Sequence, residues 1–460
     1  MPLAPARSYL SRTAEISAPT DRQSLRWHGW RFAAVVYVLV VGLCSFATFA
    51  LPDLLGYHQW LALGDGKWTI ESAQWVSWGG IGSVYSANPQ FLPLPGFLII
   101  LAPAVALGNH LGLVTGYPYA LRYPSMLLVA GPVFFLTGST AILGVDYLAD
   151  TLQTSRFRRR VIVASTGLLV VIPTTVWAGH PEDLAGIALA CASLAALLRR
   201  RYLGAALLLA FAVMMQTWAG LLIPILIAAT PAGKRVRALI WSSLLPGLTA
   251  ALLLVLDFHD AFRSLIVQPM QGNGQHLPWW GLAHKLTIMQ SGVPVVVRVG
   301  SASRSLAVVA AFVAAIIVWR KPTAQTILAA AATVLLARGA SETQFWSYYL
   351  APAAVLMAVA SATSGVERRR WTLGGGSALV AYCCAAGGYD AYSLPGATTV
   401  LMPPFLALGV LIACGAGVVI ATRSRTPASD PRLLSQSQLA PDDFNGPTSC
   451  PEAALEPSLL

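Results

Sequence analysis

Apolar stretches of helix-spanning length alternate with short polar clusters over most of this 460-residue chain. They fall at 33–51, 125–144, 161–177, 183–199, 238–256, 305–319, 323–337, 346–363, 373–389 and 400–421. A helix needs about 20 apolar residues to cross a hydrocarbon core, so these positions predict transmembrane helices. Residues 203–229 are nearly all apolar, too many for one comfortable crossing and too few for two full ones. A hairpin of two short helices turning at Gln216-Thr217-Trp218 accommodates them. Polar backbone at such a turn is tolerable where protein or a wet cavity surrounds it. Pro95 to Leu107 is predicted as a helix that lies in or dips into one leaflet without crossing. The fold expected is an all-α polytopic membrane protein with about 12 crossings.

The transmembrane domain then covers 33–421, after a basic arm at 1–32. The tail at 422–460 is rich in Ser, Pro and Asp, which predicts disorder. Two connecting loops are long, 52–123 and 257–304. Leu54 to Leu63, at the start of the first, fits a short in-plane amphipathic helix.

Composition agrees with a membrane protein. Hydrophobic residues make up 56% and charged residues 11%, with a mean hydropathy of +0.64; soluble proteins carry roughly 25% charge. The net charge of +11 raises the question of nucleic acid. Here, however, the basic residues punctuate apolar runs instead of forming a face, so nucleic acid is set aside as a partner. The first apolar run is long enough to span and follows a polar, Arg-rich segment, as a start-transfer helix does. Cys44, Cys191, Cys383, Cys384 and Cys414 lie inside apolar segments with no metal-ligand spacing and no disulfide framework, and read as packing residues.

Charge then gives the chain two sides. Arg156, Arg158, Arg159 and Arg160 share one inter-helix loop, and Arg199, Arg200 and Arg201 another. Lys234, Arg235 and Arg237 form a third cluster, Arg320 and Lys321 a fourth, and Arg368 to Arg370 a fifth. With the arm and the tail they hold most of the 30 basic residues. Basic loops stay in the cytoplasm, so both termini are expected there, in a multi-pass cell-membrane protein. Keeping all clusters on one side is what requires the hairpin and the non-crossing helix. The other loops contain every histidine except His28 and most of the tryptophans, so chemistry is expected on the extracytoplasmic face.

On that face, Asp53 follows Pro52 at the end of the first span, either as a fixed, reachable carboxylate or as a solvated helix end. His180, Glu182 and Asp183 share a tight turn between two spans. Macrodipole compensation explains one acid in the first helical turn, but two acids beside a histidine call for more. The second long loop brings His276, Lys285 and Arg298. Arg338 and Glu342 flank a short turn before Tyr348. An outer cation that topology does not require suits a phosphate clamp; an Arg338–Glu342 pair is the structural alternative. The loop aromatics serve as an interfacial belt or as stacking surfaces for sugars.

Three stretches carry a resemblance. They are Pro52-Asp53, with the later Asn88-Pro89-Gln90-Phe91-Leu92-Pro93-Leu94-Pro95; Gly179-His180-Pro181-Glu182-Asp183, followed by Arg199 to Arg201 and Gln216-Thr217-Trp218; and Arg338 with Tyr348-Tyr349-Leu350-Ala351-Pro352. Together they resemble the GT-C superfamily of glycosyltransferases, more narrowly the bacterial polyprenol-phosphate-mannose-dependent α-mannosyltransferases. At the turn where that family often carries Lys before Trp, this chain has Gln216-Thr217.

The resemblance implies a GT-C-like bundle and an inverting transfer of a sugar, mannose by likeness, from a polyprenyl-phosphate donor to a glycan or glycolipid acceptor. It implies Asp53 as the general base. Substrate would be bound by His180, Glu182, Asp183, His276, Lys285, Arg298, Arg338, Glu342 and Tyr348. No metal or other cofactor is expected, because a lipid phosphate leaves readily and no Asp-x-Asp is present. The rival readings are a secondary transporter, which calls for mid-span charge and two similar halves, and a non-catalytic membrane scaffold.

Overall fold

Helices account for every regular element among the residues described in this computed structural model, namely 22–54, 65–88, 93–113, 124–267, 294–341 and 347–363. Helix α1 (Arg22–Ser45) runs on through a π-helical turn at Phe46–Ala50 into Leu51–Leu54. Helices α2 (Gly66–Ser77) and α3 (Gly96–His110) both fall inside the expected 52–123 loop. Next come α4 (Leu127–Thr151) and α5 (Arg156–Thr166), the latter extended by π-helical turns at Gly167–Val171 and Pro173–Ala178. Helices α6 (Pro181–Leu198), α7 (Tyr202–Met215) and α8 (Ile223–Ala229) follow. The longer helices that remain are α9 (Arg235–Leu256), α10 (Pro294–Arg320), α11 (Ala324–Ser341) and α12 (Ala351–Thr363).

Among the described residues, five segments are long and apolar enough to cross a membrane: Trp30–Ala50, Leu127–Thr151, Arg156–Val176, Pro181–Leu198 and Ala232–Leu256. Helices α3 and α7 and the 217–229 segment are also apolar but shorter. The expected spans at 373–389 and 400–421 and the tail at 422–460 lie outside the described residues, as does most of Leu54 to Leu63. Outward apolar side chains such as Leu248, Val255, Phe312 and Ile316 stay exposed on α9 and α10, as lipid-facing surfaces require.

Helix α6 is the centre of the bundle and is buried along most of its length. It meets α4 so closely that a Cβ on Gly144 would lie 2.5 Å from the Ala188 carbonyl oxygen. Small residues permit such backbone approach, a usual mode of helix packing in membranes.

The charges sort by end, and contacts fix which end. Arg159 forks onto Asp146 at 2.6 and 2.7 Å and reaches Asp150 at 2.7 Å, while Arg199 meets Asp150 at 3.1 Å. Arg160 lies over Phe32, Arg235 over Trp319, and Arg158 donates to the Ala362 carbonyl. The starts of α5 and α9 and the ends of α4, α6, α10 and α12 therefore share one basic end. The hairpin puts Lys234 at that end too, its ammonium 5.1 Å from the Tyr202 ring centre at the start of α7. The far end of the 18-residue α6 lies about 27 Å away.

Helix α3 stays in the half remote from the basic clusters. At its start, Gly96 is pressed onto Met214 near the end of α7, and near its finish Gly108 is pressed onto Met126, just before α4. Between them Phe97 meets Phe134 edge-on at 5.5 Å. Neither end of α3 approaches the Arg159 or Lys234 clusters.

Candidate functional site

Gly179 makes the site possible. It closes the π-helical end of the α5 segment with φ +73°, a left-handed conformation that glycine adopts without penalty. The chain then turns, the His180 N–H bonds the Thr174 carbonyl, and Pro181 opens α6. This sets Glu182 and Asp183 in the first turn of α6, buried, where carboxylates complement the helix dipole.

His180 is held from both sides. Its Nδ1 is 2.7 Å from Glu182 Oε1 and its Nε2 is 3.2 Å from Asp65 Oδ2. With an acceptor at each nitrogen, the ring carries both protons. Burial works against that charge, but the carboxylates of Glu182 and Asp65 outweigh it and push the pKa up to about 10. Tyr348 stacks on the imidazolium at 4.0 Å between ring centres, and Tyr349 meets Tyr348 edge-on. Arg338 covers the Tyr349 face, its guanidinium carbon 4.1 Å from the ring centre. Helices α6, α11 and the 3-10 turn before α12 thus supply a cation-and-aromatic wall.

Asp183 is bound to the hairpin turn. Trp218 donates its indole N–H to one carboxylate oxygen at 2.7 Å, and Gln216 donates its amide to the other at 3.2 Å. Gln216 breaks the helix with extended backbone, so the polar turn predicted at Gln216-Thr217-Trp218 is present and is satisfied by Asp183. Asp183 is thereby a fastening between α6 and the turn. Glu182 differs, because its Oε2 is buried and has no hydrogen-bond partner among the described residues.

Asp65 is the residue that sequence reasoning missed. It precedes α2, a helix that the composition of the first loop did not suggest, and its backbone N–H bonds the Ala178 carbonyl beside the turn. At 38% exposed, its side chain both touches His180 and keeps access to solvent. Asn88, from the first resembling stretch, is structural. It is buried and donates to Ser72 and to the Trp68 carbonyl, tying the end of a short helical turn to α2.

The remaining candidates are only partly described. Asp53 lies in the last helical turn after α1, beyond Phe49, which packs on Phe135 in the half of α4 away from the basic end. Its side chain is outside the described residues, as is that of Arg298 in α10. His276, Lys285 and Glu342 lie outside them altogether, and with Glu342 goes its expected pairing to Arg338.

His180, Glu182 and Asp183 offer ligand atoms within 4.8 Å of one another, close enough to hold a metal ion. Ligation needs a neutral imidazole with a free lone pair. Here both nitrogens point at carboxylates, and a metal at His180 would have to displace Glu182 or Asp65 from the ring. As it stands, His180 is ion-paired with the buried Glu182 on one side and with the partly exposed Asp65 on the other.

No family model matches this chain, and no curated protein matches it.

Proposed function

We propose that this protein is a membrane glycosyltransferase of the GT-C type, working at the end of the bundle that carries His180. In this reading about 12 helices cross the membrane, both termini and the basic end are cytoplasmic, and the site faces out. The donor is a polyprenyl-phosphate sugar, with mannose suggested by the resemblance alone, and the acceptor is a hydroxyl of a glycan or glycolipid.

The observation that carries this reading is the imidazolium of His180, stacked on Tyr348 and flanked by Glu182 and Asp65. A sugar phosphate presents an anion, hydroxyl groups and a C–H face. Cations, carboxylate acceptors and aromatic rings answer those three needs, and the site gathers all of them. Glu182 Oε2 is a buried acceptor able to accept a hydrogen bond from a sugar hydroxyl, and Arg338 adds a second cation close to the rings.

In the step itself the acceptor oxygen attacks the anomeric carbon from the face opposite the phosphate. The new C–O bond forms as the bond to the phosphate oxygen breaks, and the lipid phosphate leaves with the electron pair. The acceptor proton passes to a carboxylate, assigned to Asp53 on the resemblance. A positioned base of this kind contributes about 10²–10⁴-fold. Asp65 orients His180 and is the alternative base, because it is the acid of the triad with solvent access.

The test uses full-length protein in lipid with either a polyprenyl-phosphate sugar or a nucleotide sugar as donor. Transfer is expected from the lipid donor only, and EDTA should leave it intact. Asp53→Asn should lower turnover by about 10²-fold or more. Loss in Asp65→Asn with normal turnover in Asp53→Asn would move the base to Asp65. Transfer from a nucleotide sugar alone would defeat the proposal.

A further inference from the structure

At the basic end, one group of cations differs from its neighbours. Arg159 and Arg199 are neutralised by Asp146 and Asp150. Arg200 and Arg201, between α6 and α7, and Lys234 and Arg237, at the start of α9, meet no carboxylate among the described residues. These four side chains instead line one half-open cavity of about 380 Å³, with Tyr202 in its wall. At roughly 30 Å³ per water, that is room for about a dozen waters. Topogenic charge explains why basic residues lie on this side. It does not explain why cations from two separate loops border a single space.

The backbone gives a second sign. Arg200 has φ +61°, the left-handed position after a helix end where glycine is the usual residue. A non-glycine residue held there is strained, and such strain persists where the surroundings fix it. Lys234 is steered as well, by its place over the Tyr202 ring.

The cavity has two chemistries. Beyond the cations, α7 and α9 turn exposed apolar side chains outward, including Leu203, Leu207, Leu239 and Ile240. Gly204, in the cavity wall, leaves open space where a side chain would stand. A soluble anion would use the cations alone. A molecule with a phosphate at one end and hydrocarbon at the other uses both.

We propose that this cavity binds the phosphate-bearing headgroup of an anionic phospholipid, with its acyl chains lying along the exposed apolar residues of α7 and α9. Basic pockets between helices on the cytoplasmic side suit such headgroups. The site is separate from the His180 cluster and does not depend on glycosyl transfer.

The experiment takes full-length protein in a neutral detergent, adds phosphatidylglycerol or phosphatidylcholine, and counts retained lipid by native mass spectrometry. Phosphatidylglycerol should be retained and phosphatidylcholine should not. Arg200→Gly should weaken retention roughly fivefold, the share of one basic residue near an anionic headgroup. Its melting temperature should equal or exceed that of the parent, because glycine relieves the left-handed position. Gly204→Leu changes no charge, and its Cβ would meet no neighbour within 4 Å, yet it should also reduce retention by occupying the cavity. A triple Arg368→Gln, Arg369→Gln, Arg370→Gln variant should retain lipid normally. Equal loss in that triple variant would mean diffuse charge and overturn the proposal, as would equal retention of the two lipids. Stabilisation by inorganic phosphate alone, matching that from phosphatidylglycerol, would identify a free-anion site and defeat the lipid assignment.

Discussion

Trp218 donates its indole N–H to Asp183 across 2.7 Å, fastening the α7–α8 turn to the first turn of α6. The bond is buried at both ends. Trp218→Phe should therefore leave a carboxylate oxygen without its donor and cost about 1–3 kcal/mol. Thermal unfolding in detergent measures this. An unchanged melting temperature would mean that Gln216 and water hold Asp183 unaided.

The charged His180 ring makes stability depend on pH. Its pKa is raised from 6.5 to about 10 on folding, so the folded form binds the extra proton. The contribution is complete below pH 6.5 and is lost as pH rises through about 10. Unfolding measured across that window should show declining stability in the parent protein. The slope should be reduced in His180→Gln, and an equal slope in both would place the titration elsewhere.

Glu182→Gln keeps the shape of the side chain but removes the negative charge 2.7 Å from the imidazolium. Expression should persist, the pH-dependent loss of stability should still begin near pH 6.5 but be smaller and complete at a lower pH, and sugar transfer should fall. Full transfer in this variant would reduce the turn to a helix start.

At the other end, Arg159 is bonded to Asp146, whose side chain is only 7% exposed. Arg159→Gln strands that carboxylate, and breaking a buried pair typically costs 3–5 kcal/mol. Arg199→Gln should cost less, since its partner Asp150 is 26% exposed and still bonded to Arg159. Paired unfolding curves decide the order.

Single cysteines near the two ends of α3 test its path. Both should react with an impermeant reagent from the same side, because Gly96 and Gly108 both pack in the half away from the basic clusters. Labelling from opposite sides would make α3 a crossing.

Among the described residues the sequence displayed the helices wherever apolar runs were long, and it displayed the hairpin through charge, since Arg199 to Arg201 and Lys234 to Arg237 had to share a side. The His180-Glu182-Asp183 turn was visible because acids and a histidine are costly between two apolar spans. Helix α2 was not visible. It buries Thr69, Glu71, Ser72 and Gln74 alongside Ile70 and Ala73, so no apolar stripe marks its inner face. With α2 unseen, Asp65 could not be placed, and its contact with His180, the second of the two that charge the ring, spans 115 positions of sequence. The bonds from Trp218 and Gln216 to Asp183 were not legible either, because they span 35 and 33 positions of sequence.

Gly144 has a wider reach than its size suggests. Because α4 and α6 touch backbone to backbone there, the two helices act as a single beam, loaded by an ion triad at one end and an arginine–aspartate lattice at the other. Any side chain introduced at Gly144 must push the two backbones apart where they meet at Ala188. A mutational survey would then record at both ends, some 27 Å apart, the failure of a residue that carries no functional group.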